Sequence, residues 1–221
     1  MQEFQGCTEE MYRFFWEIAF QNNAAFFEAN RERYQRVVKA PMFALARDLL
    51  PEALAIDPDF DQRIPVIVSR IRRDTRFTRD KSPYRDHVWL GFKYAGRHTS
   101  ECFTMYVYFD REEYGYGMGM YAPDAAMMTE IRERMKARPD HFLSLVQNPA
   151  FTERFVMTGE HYHKPRFTGS DSLTPWLNLK SVSFLHTSKD IEKTTHPEIE
   201  DELKEGLALM KPVFRFLKGL E

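Results

Sequence analysis

Cys102-Phe103-Thr104-Met105-Tyr106-Val107-Tyr108-Phe109 decides the fold. Phe103, Met105, Val107 and Phe109 alternate with Thr104, Tyr106 and Tyr108, the period-2 pattern of a strand with one face in a core. A polar turn, Asp110-Arg111-Glu112-Glu113, leads to a second run, Tyr114 to Met120. Upstream, Val88 to Tyr94 reads as a strand joined to it through Ala95-Gly96-Arg97-His98, and Pro65 to Ile71 reads as another. Short polar turns between consecutive strands predict an antiparallel meander, because parallel neighbours need long crossovers.

Working outward, the period changes to that of helices. Thr8 caps a first helix with Glu9 and Glu10 at its positive end, and Met11, Phe14, Phe15, Ile18 and Ala19 form one apolar stripe. Gln21-Asn22-Asn23 ends it, Asn23 caps the next, and Phe27, Tyr34 and Val38 face inward until a break or kink near Pro41. Met42, Leu45, Ala46 and Leu49 carry the helical path on to about Leu50. Beyond the strands, Pro123 is expected to open a helix bearing Ala126, Met127, Ile131 and Met135, followed by a shorter one over Pro139 to Gln147. Short strands are expected around Phe155 to Thr158 and Lys180 to Leu185. A last helix from near Pro197 carries Ile199, Leu203, Leu207, Met210, Phe214 and Leu217, with a bend at Pro212. Helices at both ends around a central antiparallel sheet predict a single α+β domain over residues 1–221.

Composition narrows the classes of function. A chain of 221 residues, 43% hydrophobic with 32 aromatics, builds a core without disulfides or metals. The N-terminus lacks a basic segment followed by an apolar one, and apolar runs stop at about five residues, so secretion and membrane spanning are not expected. Cys7 and Cys102 sit in no C-x-x-C and read as reduced thiols of a cytoplasmic protein. A net charge of −2 argues against a dedicated nucleic-acid binder. The balance is uneven, however. Arg70 to Asp86 holds seven basic and three acidic residues, so the rest of the chain stands at −6.

That segment, RIRRDTRFTRDKSPYRD, is the strongest functional signal. Guanidinium forks match carboxylate and phosphate oxygens, so converging arginines suit an anionic ligand. Asp74 and Asp80 can equally neutralise their neighbours in a solvated loop. Phe77 and Tyr84 either anchor the loop or flank a planar ligand. On the second helix, Asn30 and Arg31 share the inward face of Phe27. One reading has Arg31 pairing with an aspartate of the loop and Asn30 bonding its backbone, with Asn22 and Asn23 as helix punctuation. Tyr114 to Pro123 places Gly115, Gly117 and Gly119 on one strand face, where a helix, a backbone or a ligand approaches closely. The helix after Pro123 offers free N–H groups to an anion as an alternative. His161-x-His163 lacks neighbours at metal-like spacing, and there is no G-x-S-x-G, H-E-x-x-H or dinucleotide fingerprint, so no metal or cofactor is expected.

Taken together, Asn22-Asn23, Phe27-Glu28-Ala29-Asn30-Arg31, Tyr34, Arg73-Asp74-Thr75-Arg76-Phe77, Asp80-Lys81-Ser82-Pro83-Tyr84, His87, Gly117-x-Gly119-x-Tyr121-x-Pro123 and Gly159-Glu160 resemble a bacterial and fungal family known as domain of unknown function 2461. The sequence departs where that family carries proline-lysine-glycine-aromatic, reading Lys164-Pro165-Arg166-Phe167 instead. The resemblance implies a single α+β domain and no assigned reaction. The expected function is binding of a small anionic ligand, with Arg70, Arg73, Arg76, Lys81 and Arg85 supplying charge and Tyr84 and Asn30 positioning. Arg31, Asp74, Asp80, His87, Gly117 and Gly119 support them, and His87 and Tyr84 are the nearest proton-transfer groups if a reaction occurs. The rival expectations are a protein-interaction module docking an acidic surface, and an Arg–Asp lattice that is purely architectural.

Overall fold

The computed structural model describes residues 3–76, 79–96, 102–120 and 122–221. The expectations placed on Phe77, Arg97, His98 and Tyr121 lie outside them. Helix α1, Glu9–Phe20, starts as read: Thr8 Oγ1 accepts the Met11 N–H at 3.2 Å, and Met11, Phe14, Phe15 and Ile18 are buried. Asn23 Oδ1 caps α2, Ala24–Ala29, by accepting the Phe26 N–H at 2.9 Å. A short α3, Arg31–Tyr34, runs into a π-helical turn, Gln35–Lys39, and then α4, Ala40–Ile56. The chain therefore does not stop at Pro41. Proline lacks the N–H that would bond back one turn, and the backbone widens just before it and continues.

The expected strand over Pro65 to Ile71 is a correction. Pro65 sits in the first turn of a helical segment, α5, Ile64–Ile67, because its fixed φ suits that position better than a ladder needing its N–H. Only after it does the chain extend, with Val68 bridging Leu90 and Arg72 bridging Tyr84.

Strands β1 (Val88–Phe92), β2 (Thr104–Phe109) and β3 (Tyr114–Gly119) form the expected meander. Helices α6 (Ala125–Ala137), α7 (Pro139–Val146) and α8 (Pro149–Arg154) follow, then β4 (Val156–Met157), α9 (Thr174–Leu177) and β5 (Ser183–Ser188). The sheet order is β1-β2-β3-β5-β4 with every pairing antiparallel, so β5 joins the meander at β3 and β4 closes the far edge. Asp124, not Pro123, caps α6, its Oδ1 accepting the Met127 N–H at 2.7 Å. That carboxylate already occupies the helix end, which removes it as an anion site.

A 3-10 turn, Ile191–Thr195, precedes α10, Ile199–Lys218, whose predicted stripe is buried throughout and which runs on through Pro212. Helix α10 packs against α4 and β3 on the sheet face that carries Leu90, Val107, Tyr114, Tyr116 and Met118, all buried. Gly115, Gly117 and Gly119 point the other way. What approaches them is not a helix: a Cβ on Gly117 would stand 2.2 Å from the Phe184 carbonyl oxygen of β5, and one on Gly115 2.6 Å from the Tyr108 ring. Cys7 and Cys102 are buried free thiols, and among the described residues no helix is long and apolar enough to cross a membrane.

Candidate functional site

The arginine segment folds as a hairpin. Arg73 N–H donates to the Pro83 carbonyl at 2.9 Å and Arg85 N–H to the Ile71 carbonyl at 2.8 Å, either side of the Arg72–Tyr84 bridge. Asn22 holds this base to the helices. Its Nδ2 donates to the Tyr84 carbonyl and its Oδ1 accepts the Tyr84 N–H, both at 2.9 Å, so one amide acts like a neighbouring strand. Tyr84 is buried and stacks on Phe27, ring centroids 4.5 Å apart at 21°. It is an anchor. Asn22→Ala leaves both Tyr84 backbone groups without protein partners and is expected to lower stability by about 1–3 kcal/mol, measured as a fall in the urea midpoint at unchanged slope.

Asn22 thus makes the contact expected of Asn30, while Asn30 Nδ2 donates to the Phe26 carbonyl of its own helix at 3.0 Å. Arg31 does not reach a loop aspartate either. It pairs with Glu28 one turn back at 2.6 Å.

Toward its tip the hairpin neutralises itself. Arg76 forks onto Asp74, with Nη2–Oδ2 at 2.6 Å. Arg73 pairs with Asp80, and Lys81 Nζ donates to the Thr75 carbonyl at 2.8 Å. Hydrogen bonds from the Arg76 side chain hold the Asp74 carboxyl down at about 2, and bonds from Ser82, then Arg73, do the same for Asp80. Arg85 folds inward, Nη1 donating to the carbonyls of Arg70 and Arg72 at 3.2 and 3.0 Å. Burial, then the charge of Arg73, lowers its pKa.

Among the described residues Arg79, Arg70 and Arg72 of this segment have no carboxylate partner, and the last two lie at the hairpin's base. A cleft of about 660 Å³ opens between α2–α3, the π turn and residues 65–72. Phe27, Tyr34 and Tyr84 form its floor, and Glu28, Arg31, Lys39, Arg70 and Arg72 line it. Arg31 lies over the Phe27 ring at 5.6 Å and Arg72 over the Tyr84 ring at 5.9 Å. Arg31 is offset by Glu28. Lys39 Nζ lies over the Phe43 ring at 5.3 Å, and among the described residues no carboxylate pairs with Lys39, Arg70 or Arg72, which leaves three positive charges lining the one cleft. Of the predicted site residues, the cleft brings together Arg70, Tyr84 and Arg31. Arg73, Arg76, Lys81, Arg85, Asn30, Asp74, Asp80, His87, Gly117 and Gly119 do not line it. Arg72 and Lys39 are additions. Arg72 was readable in principle, since residues two apart on an extended segment project to the same side, and Arg70 and Arg72 are so spaced.

A second polar cluster has no counterpart in the sequence reading. Glu202 Oε1 on α10 accepts the hydroxyls of Tyr114 and Tyr116 at 3.1 and 3.3 Å, with Arg154 Nη1 at 3.6 Å and His186 Nε2 at 3.7 Å. Burial pushes the Tyr114 hydroxyl up to about 12, so it stays a neutral donor.

Fold and cleft together define an α+β domain whose basic, aromatic-floored groove lies between its N-terminal helices and an arginine hairpin. A family model described as "Conserved hypothetical protein (DUF2461)" matches residues 10–216. The chain belongs to that family. No curated protein matches it.

Proposed function

We propose that the protein binds a small anionic ligand, bearing phosphate or carboxylate, at the base of the arginine hairpin. The observation that carries this reading is the convergence of Lys39, Arg70 and Arg72, without carboxylate partners, on one cleft. Paired arginines have already given their donors to aspartate, whereas these three retain forks and an ammonium for an incoming oxyanion. The aromatic floor favours a ligand with a flat or apolar part beside its charge. Docking of an acidic protein surface is less well supported, because Arg73 and Arg76 are already bound to Asp80 and Asp74. We take the protein to be cytoplasmic, a reading supported by its two free buried thiols.

The test is calorimetric titration with inorganic phosphate, citrate and nucleoside monophosphates, comparing wild type with Arg70→Ala/Arg72→Ala and Arg73→Ala/Arg76→Ala. A hydrogen bond to a charged group contributes about 1.5–3 kcal/mol. The base variant should therefore lose at least about tenfold in affinity, and the tip variant less than about twofold. The reading fails if no ligand saturates the wild type, or if the tip variant loses as much as the base variant.

A further inference from the structure

The sheet face turned away from α10 carries a groove that the anion cleft does not use. Trp89 and Tyr108 are register partners on β1 and β2, and Tyr106 pairs with Gly91 on the same face. All three aromatic side chains are half-buried, while Val88, Leu90, Met105, Val107 and Phe109 on the opposite face are buried. The arrangement of the rings is informative. A Cβ on Gly91 would stand 2.4 Å from Trp89 Cζ3, and one on Gly115 2.6 Å from Tyr108 Cε1. The bare glycines thus leave room for these two rings to lie close against the backbone. Tyr108 is fixed in that pose by its hydroxyl, which donates to Glu113 Oε1 at 2.7 Å.

These rings line a groove of about 380 Å³ with His87 and Asp110 at one end. The charged groups there are mainly acidic. Asp86 accepts from His87 Nδ1 at 3.1 Å and faces Arg111 Nε at 3.4 Å. Asp110 lies 4.0 Å from the same Nε, and Glu113 holds Tyr108. Arg111 leans off the groove onto the Trp16 ring, 4.9 Å from its centroid. Three carboxylates against one guanidinium disfavour a polyanion, which excludes the nucleic-acid use that open aromatic sheets otherwise suit. Ring faces with an acidic rim attract an organic cation through the aromatic quadrupole. The walls are mostly carbon and offer few hydrogen-bond acceptors, which favours an ammonium whose protons are replaced by methyl groups.

We propose that this groove binds a quaternary or methylated ammonium group, stacked on Trp89 and Tyr106 and drawn in by Asp110. The test titrates the full chain with choline and with its neutral isostere 3,3-dimethylbutan-1-ol, read by tryptophan fluorescence and by calorimetry. Wild type should saturate with choline in the millimolar range, and the alcohol should bind at least about tenfold more weakly. Trp89→Leu should weaken choline about tenfold and Asp110→Asn about threefold or more. Tyr106→Leu serves in place of Trp89→Leu if that variant does not fold. Equal binding of the alcohol, absence of saturation by about 50 mM choline, or an affinity unmoved by both Asp110→Asn and the aromatic variant would each overturn the proposal.

Discussion

Glu202→Ala is expected to lower the stability of the protein by about 2–4 kcal/mol, although Glu202 lies in a helix rich in exposed charge. One oxygen of this carboxylate serves the two buried tyrosines of β3 and stands near Arg154 of α8 and His186 of β5. Removing it leaves two hydroxyls and a guanidinium partly deprived of an acceptor, and an unsatisfied buried donor costs about 1–3 kcal/mol. Arg154 Nη1 still donates to Tyr116 Oη at 2.6 Å, which limits the loss. The side chains of Glu202 and Arg154 are 20% and 26% exposed, so water relieves part of the charge penalty and the figure stays below that of a fully enclosed pair. Glu202→Gln keeps an acceptor of the same shape and should lose only about half as much. Urea titration at neutral pH separates the two variants. An unfolding free energy for Glu202→Ala within about 0.5 kcal/mol of wild type would show that the cluster is not structural.

The Glu202 cluster also shows where sequence reading stops. The run Glu198 to Glu205 has the composition of a solvated helix face, and nothing local marks which glutamate meets tyrosines some 86 to 88 residues away. The strands were legible because alternation is a local consequence of the pleat. Residues 65–71 were not, because a β-branched run after a proline suits either a helical turn or a strand, and only the pairing of Val68 with Leu90 decides where extension begins. The arginine segment was legible as a charge cluster, but which of its cations are paired was not. Its aspartates lie two and seven residues from their arginines, so neutralisation at the tip is local, while the open cations at its base depend on Lys39 from a different element. Asn22 and Asn30 have the same chemistry, and only the tertiary approach of Tyr84 selects the first as the clamp.

Gly206→Ala should also destabilise, by a net of about 1–3 kcal/mol, against the direction that helix propensity gives. In the interior of an exposed helix this change stabilises by about 1 kcal/mol. Here the new methyl would stand 2.2 Å from Tyr116 Cε2, closer than van der Waals contact allows. The ring has nowhere to retreat. It is fully buried, its hydroxyl is held by Arg154 and Glu202, and its flanks meet Phe155 at 5.8 Å and His186 at 4.7 Å. Helix α10 would have to lift from β3, opening the interface made by Leu203, Leu207 and Met210. Tyr116→Leu alone removes the ring and its hydrogen bonds and should be destabilising as well. Combined with Gly206→Ala it should cost less than the two changes summed, by about 1 kcal/mol or more, because the clash has no second partner. Additive losses, or a stabilised Gly206→Ala protein, would mean that α10 does not rest on Tyr116 and that the sheet is positioned by other contacts.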